Sequence, residues 1–398
     1  MLVKIRPLII ALLMAAKKAS KVAALAFLAI FPGFYFYHFA VSMYVIPSFL
    51  AGWHGPMTLI FAVPLAFSFL AFIFKNRLSV LSDPITLMAG LLLVYTVGWL
   101  LINMSLQPNH PGHEELVAAI LAMFVYFMTG ALLDLDGVRK WLLPCWIIMV
   151  LLAVTNVTIG AYMFQTSLET ETGSPLYQGL ARSFMVVAMA MIALPPGIVA
   201  RLIVGLFSIA ALFVIGARSE LYGFILTYAI AELTMSRRNI FRVTMLGLAG
   251  LAIALVVTSY LGLLGASRQL LVFDLGADAS WNVRNHFEYF ARTQIAENPI
   301  MGVYGGHWQI EEGGYAHNAL SAWVSLGIVG FMLYMALSIV AVTRSFRTIK
   351  AVDSAMSRFA FMMALVALVL VIVAKPVFWA FPAMAWALNT RAVRKKLR

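Results

Sequence analysis

Uninterrupted apolar runs of about 20 residues recur along the whole sequence, and each is long enough to cross a bilayer as an α-helix. Hydrophobic residues make up 63% of the chain and charged residues 11%. In soluble domains roughly half of the residues are apolar and about a quarter are charged. A transmembrane β-barrel would instead show alternating segments of roughly ten residues. The sequence therefore predicts an all-α polytopic membrane protein.

The runs predict about twelve transmembrane helices in a single integral-membrane domain, residues 1–398. One larger loop, residues 265–315, separates the ninth and tenth spans, and its portion 281–297 has helical spacing that stops at Asn298-Pro299. A loop of roughly fifty residues is longer than most connections, and such loops are usually functional. The predicted spans are 22–45, 57–74, 84–103, 115–133, 142–164, 181–199, 202–216, 219–235, 243–264, 316–341, 357–374 and 377–390.

The basic residues orient these helices. With twelve spans, 22 of the 28 lysines and arginines fall on the side that carries both termini, and the other 6 fall on the opposite side. Positive charge accumulates on the cytoplasmic side, so both termini are predicted to be cytoplasmic. The net charge of +12 thus has a topological origin and does not indicate a nucleic-acid partner.

Two arginines on the predicted outer side stand out because positive charge is scarce there. Arg218 interrupts an apolar stretch, 202–233, that is too long for one span, and it is expected at the turn of a helical hairpin. Arg284 begins the helical part of the 265–315 loop and has Glu288 four residues later as a possible ion-pair partner. A side chain that snorkels at a helix end would by itself explain Arg218, and a solvated face of a loop helix would by itself explain Arg284. An anionic ligand would explain both.

His317 and Asn318 lie at the outer end of the tenth predicted span. A histidine near a helix N-terminus is held neutral by the helix dipole, as a general base requires. Asn318 is suited to orient that ring or to bind a substrate hydroxyl. A histidine that simply packs at an interface is the commoner case.

The order of these elements resembles the bacterial O-antigen ligase and O-antigen polymerase superfamily, which includes the O-linked oligosaccharyltransferases. The resemblance covers about 205–340, and Arg218 here precedes its serine where relatives often have the reverse order. It rests on Gly216-Ala-Arg218-Ser219, Arg284, Asn298-Pro299-Ile-Met-Gly302, His317-Asn318 and Leu326-Gly327-Ile-Val-Gly330.

This resemblance implies a GT-C-like, metal-independent glycosyltransferase of the bacterial inner membrane with no cofactor. Its donor would be a glycan on undecaprenyl pyrophosphate at the periplasmic face, and its acceptor the lipid A–core of lipopolysaccharide. His317, Arg284 and Arg218 are the expected catalytic residues. The expected substrate-binding residues are Asn318, Tyr315, Arg292 and Lys375.

Other functions remain open at this stage. An O-antigen polymerase would use the same donor chemistry, an oligosaccharyltransferase would act on protein, and a transporter or flippase would need a midplane anion site. The spacing Asp134-Leu-Asp136 occurs in metal-dependent sugar-nucleotide transferases, but it falls on the predicted cytoplasmic side beside Arg139 and Lys140. It is better explained as a solvated loop.

Overall fold

The computed structural model describes residues 19–50, 52–75, 80–155, 176–235, 279–310 and 314–396. Within these ranges the backbone is helical or irregular, without a β-strand. A short 3-10 helix, Gly306–Gln309, accompanies the α-helices. We number these helices α1 (Ala19–Ser42), α2 (His54–Lys75), α3 (Pro84–Leu106), α4 (Gly112–Leu132), α5 (Leu135–Thr155), α6 (Leu176–Ala193), α7 (Ile198–Ile215), α8 (Arg218–Met235), α9 (Ala279–Glu297), α10 (Leu320–Ala351), α11 (Ala355–Val373) and α12 (Phe381–Lys396).

Eight of the described helices, α1 to α5, α7, α10 and α11, are long and apolar enough to cross a membrane. Helices α6, α8 and α12 occupy three further predicted spans, but they are shorter or carry more charge. The predicted span 243–264 lies outside the described residues. The protein is thus an all-helical, multi-pass membrane protein, as the apolar runs predict.

Helix ends follow local sequence signals. Asp83 caps α3 because its side chain accepts hydrogen bonds from the amides of Ile85 and Thr86, and Pro84 occupies the first helical position. Ser354 and Ser357 form a reciprocal capping box at the start of α11. Helix α9 covers the predicted 281–297 segment and ends before Asn298-Pro299, which confirms that prediction.

Two arginines at the ends of helices on the predicted cytoplasmic side have complete sets of acceptors. The guanidinium of Arg201 donates to both carboxylate oxygens of Glu232, at 2.7 and 3.0 Å, and to the Pro196 carbonyl at 2.7 Å. Arg358 donates to both oxygens of Asp353 and to backbone carbonyls of the α6–α7 connection. Buried charges are tolerated when they are paired and hydrogen-bonded in this way.

Helix α10 is interrupted near its N-terminal end, although the sequence predicts an unbroken span. Gly327 has φ 66° and ψ −178°, a conformation that is unfavourable for any residue with a Cβ atom. The turn that follows α9 fills the interruption, because Ile328 N donates to Ile300 O at 3.0 Å and Val303 N donates to Val324 O at 2.8 Å. Backbone hydrogen bonds therefore join the turn after α9 to α10.

Side chains of α3 satisfy the carbonyls that the interruption frees. The Tyr95 hydroxyl donates to Leu326 O at 2.6 Å, and the Trp99 indole donates to Ser325 O at 2.9 Å. Buried carbonyls of this kind need such partners. The break at Gly327 is thus stabilised by contacts with α3. Together with the turn after α9, it determines where the segment that precedes α10 lies.

Candidate functional site

The turn between α7 and α8 carries the first predicted catalytic residue. Gly216 has φ 93° in the left-handed region and ends α7, and α8 begins two residues later at Arg218. The predicted helical hairpin is confirmed. A small pocket, hereafter the arginine pocket, lies beside this turn and is lined by Tyr177, Gln178, Gly216, Ala217, Arg218, Ser219 and Arg284.

Arg284 reaches the arginine pocket from α9, a separate part of the chain. Phe287 and Ala291 on this helix are buried, and Gln294 donates to Gly306 O at 2.9 Å. These contacts hold α9 against the end of the helical bundle at which α10 begins. Two arginines and the N-terminus of α8 therefore surround one pocket, which favours an anionic group.

His317 lies in the irregular segment just before α10. Its ring is 5.1 Å from the ring of Tyr315 and 6.2 Å from that of Phe287, measured between centroids. Burial, together with the positive charges of Arg284 and Lys375, lowers the pKa of His317 to about 4. The ring is therefore neutral near pH 7. The cause is burial and nearby cations, whereas the sequence suggests the helix terminus.

Asn318 and Arg292 share one carboxylate. Glu288 accepts from the Asn318 amide at 2.9 Å and from Arg292 at 2.6 Å. The Asn318 side-chain oxygen accepts from the Leu320 amide at 3.0 Å. These bonds fix the chain next to His317. Arg292 itself is 67% exposed, at the edge of the site.

Lys375 lies in the connection between α11 and α12 and forms a buried ion pair with Glu220 of α8 at 2.6 Å. Ser219 donates to the other carboxylate oxygen of Glu220 at 2.7 Å, and Lys375 donates to Gln178 at 3.4 Å. Burial lowers the pKa of Lys375, with a contribution from Arg182 and Arg284, while Glu220 opposes this change. The predicted substrate-binding lysine therefore lies next to the arginine pocket.

Three features of the site are not evident from the sequence. Glu220 follows Arg218-Ser219 closely, and that spacing was the available signal for its role. Arg182 is one of several outer cations, but nothing in its surroundings along the chain distinguishes it. His307 is buried and binds Glu115 of α4 at 2.7 Å, 192 residues away along the chain.

The arrangement suits the stabilisation of a phosphate-type anion and the removal of a proton by a neutral imidazole. Within the described part of the chain, no group of three His, Cys, Asp or Glu side chains is placed to hold a metal ion. Asp134 accepts from the Asp136 amide at 3.4 Å, next to the start of α5 and on another face of the protein from the arginine pocket by the predicted topology.

No family model matches this chain. A curated protein that it resembles is the multidrug resistance protein MdtH of Enterobacter sp. (strain 638), with 28% identity over 232 residues. The alignment covers 52% of this chain and 54% of that protein, so the chain matches about half the length of this relative.

Proposed function

We propose that this protein is an inverting, metal-independent glycosyltransferase of the O-antigen ligase type. It would have twelve spans and a GT-C-like fold in the bacterial inner membrane, with both termini in the cytoplasm. At the periplasmic face it would move a glycan from undecaprenyl pyrophosphate to the lipid A–core of lipopolysaccharide.

The observation that carries this proposal is the meeting of three residues from separate parts of the chain. Arg218 and Arg284 line one pocket. The His317 ring lies 6.2 Å from that of Phe287, measured between centroids, and Phe287 follows Arg284 by three residues on α9. A leaving pyrophosphate needs positive charge where negative charge develops, and a hydroxyl nucleophile needs a neutral base nearby.

We assign the following roles to these residues. Arg218 and Arg284 hold the pyrophosphate oxygens through bidentate hydrogen bonds. His317 accepts the proton of the acceptor hydroxyl as its oxygen attacks the anomeric carbon. The bond from that carbon to the pyrophosphate oxygen breaks, and the pyrophosphate carrier leaves with the bonding electrons. Attack opposite the leaving group inverts the anomeric configuration.

Tyr315 and the Asn318–Glu288–Arg292 group support the base in this scheme. Tyr315 packs beside the imidazole, and its aromatic face is suited to a sugar ring. Asn318 uses both ends of its amide within the protein, so its role is to hold the backbone next to His317. Arg292 keeps Glu288 in place for that contact.

The test is to delete the gene in its host, to restore wild-type or variant copies, and to separate lipopolysaccharide on a gel. We expect the deletion, Arg284→Ala and His317→Ala to lack all capped species, with polymer left on the undecaprenyl carrier. Arg139→Ala is the matched control, because this side chain is exposed on α5, away from the arginine pocket. Full capping by both site variants would refute the assignment.

The same gel separates the polymerase alternative. A polymerase joins repeat units while they are still on the lipid carrier, so its loss would leave core lipopolysaccharide bearing a single unit. That pattern would replace the ligase with the polymerase and would leave the roles of the two arginines unchanged.

A transporter with an anion site is the second candidate, and the similarity to a multidrug resistance protein favours it. It predicts drug sensitivity in the deletion strain together with normal lipopolysaccharide. Arg218→Ala and Arg284→Ala would then abolish resistance. If the protein is a ligase, any drug sensitivity of the deletion strain comes from the loss of capped lipopolysaccharide. An unrelated ligase that restores capping should then also restore wild-type drug sensitivity.

A further inference from the structure

Arg182 lies one helical turn beyond the arginine pocket. It follows Gln178, which lines that pocket, by four residues on α6, so both side chains lie on the same face of the helix. The Arg182 Nε atom is buried and has no hydrogen-bond partner among the residues that the structure describes. Its guanidinium lies over the ring of Trp379, 5.5 Å from the centroid.

A carboxylate that interacts with Arg182 is already engaged. Glu220 interacts electrostatically with Arg182, but its oxygens are held by Lys375 at 2.6 Å and by Ser219 at 2.7 Å. Within this group of four described residues, two cations face one carboxylate. One positive charge of this group is therefore in excess, and the Arg182 side chain that carries it is partly buried.

The structural arginines of the same protein differ from Arg182 in this respect. Arg201 and Arg358 each bind both oxygens of a carboxylate and also backbone carbonyls. A guanidinium that served only to hold helices together would be expected to have such partners. The Arg182 Nε atom lacks a partner among the described residues, and the Arg182 guanidinium lies over the ring of Trp379. Both features suit a side chain that receives an anion.

We propose that Arg182 and Lys375, supported by Trp379, form a second anion subsite that adjoins the arginine pocket and takes one phosphate group of a diphosphate. Arg218, Arg284 and the N-terminus of α8 would take the other phosphate group. Gln178 connects the two subsites, because it lines the arginine pocket and accepts from Lys375 at 3.4 Å. The identity of the diphosphate as a lipid-linked glycan donor rests on the proposed function, whereas the binding of a diphosphate does not.

The test is to measure binding of inorganic pyrophosphate and inorganic phosphate to the purified full-length protein in detergent by calorimetry. For Arg182→Gln we expect pyrophosphate affinity to fall about tenfold or more, since a charged bidentate contact is lost. Phosphate affinity should fall less, because Arg218 and Arg284 remain. Arg139→Gln is the matched control and should bind both anions as the wild type does.

The melting temperature without ligand separates binding from a structural role. Removal of an uncompensated charge should leave it unchanged or higher in Arg182→Gln. If this variant fails to fold, Arg182→Lys replaces it, and we expect intermediate pyrophosphate affinity because the ammonium lacks the planar fork. Wild-type pyrophosphate affinity in whichever variant is used, or equal losses for the two anions, would overturn the subsite.

The gel assay keeps the two proposals apart. Pyrophosphate binding that depends on Arg182, in a protein whose deletion leaves lipopolysaccharide unchanged, would uphold the subsite and reject the ligase. Loss of capping on deletion, combined with wild-type capping and pyrophosphate binding by Arg182→Gln, would reject the subsite and leave the ligase in place.

Discussion

At the residue scale, the protonation state of His317 links the environment of the site to its chemistry. An imidazole with its ordinary pKa of about 6.5 would be partly protonated near neutral pH, and only its neutral form can accept a proton. Burial, Arg284 and Lys375 lower this pKa to about 4 in the folded protein. The same cations that suit a phosphate group therefore keep the candidate base in its reactive form.

This pKa makes stability depend on pH in a defined window. The unfolded chain binds a proton at His317 below about pH 6.5, whereas the folded protein does so only below about 4. The stabilising contribution is thus present above pH 6.5 and is lost as the pH falls to 4. We expect His317→Phe to lose less stability over this window, by at most about 3 kcal/mol, in thermal denaturation at a series of pH values. Parallel curves for the two proteins would contradict the assignment.

Arg284→Gln should raise the pKa of His317 toward its ordinary value, because one of the two nearby cations disappears while burial remains. The measurement is a titration of the histidine ring signals by NMR with nitrogen-labelled histidine, with His317→Phe used to assign the signal. Arg139→Gln, which removes a remote and exposed arginine, should leave the titration unchanged. An unchanged pKa in Arg284→Gln would mean that this arginine does not face the ring.

Arg218, Arg284 and His317 could be selected from the sequence because each breaks a regional trend of charge or hydropathy. Arg182 could not, and Glu220 has only its closeness to Arg218 as a signal, because the significance of both depends on burial and on partners from other helices. Periodicity reveals neither property. Long-range pairs such as Glu115 with His307 are likewise invisible until the helices are placed.

At the element scale, the interruption of α10 determines where the segment before it lies. Periodicity predicts the helix correctly but not its break, because Gly327 is stabilised by backbone groups of the turn after α9 and by side chains of α3. The motif elements Asn298-Pro299-Ile-Met-Gly302 and Leu326-Gly327 are thus in direct contact. Their spacing along the sequence gives no sign of that contact.

Gly327→Ala should destabilise the protein by about 1–3 kcal/mol or more, since its φ of 66° is strained for alanine and a Cβ would lie 2.5 Å from Ile300 O. It should also reduce activity, because the turn after α9 and the His317 segment both adjoin this break. Gly98→Ala on α3 is the matched control, as a Cβ there meets no atom within 4 Å. Equal melting temperatures for the two variants would show that the break is not required.

At the scale of the whole molecule, the multi-pass helical class follows from composition and run length alone, and eight helices meet the requirements for crossing a membrane. Composition and run length do not predict which residues come together in the site. The candidate residues come from α6, α8, α9 and the segments beside α10 and α11, and helix order in sequence does not determine which helices are neighbours in a bundle. The charge asymmetry nevertheless predicts that all these positions lie on one side of the membrane.

That shared side can be measured, and the ligase proposal depends on it. In a Cys145→Ser background, a membrane-impermeant maleimide applied to spheroplasts should label Asn109→Cys, between α3 and α4, and should not label Gly197→Cys, just before α7, until the membrane is permeabilised. Both positions are exposed, and a Cβ at Gly197 meets no atom within 4 Å. Because α7 alone separates Gly197 from the turn at Gly216, an inside position for Gly197 puts the arginine pocket outside. The reverse labelling would place the pocket in the cytoplasm, where a periplasmic glycan donor cannot reach it.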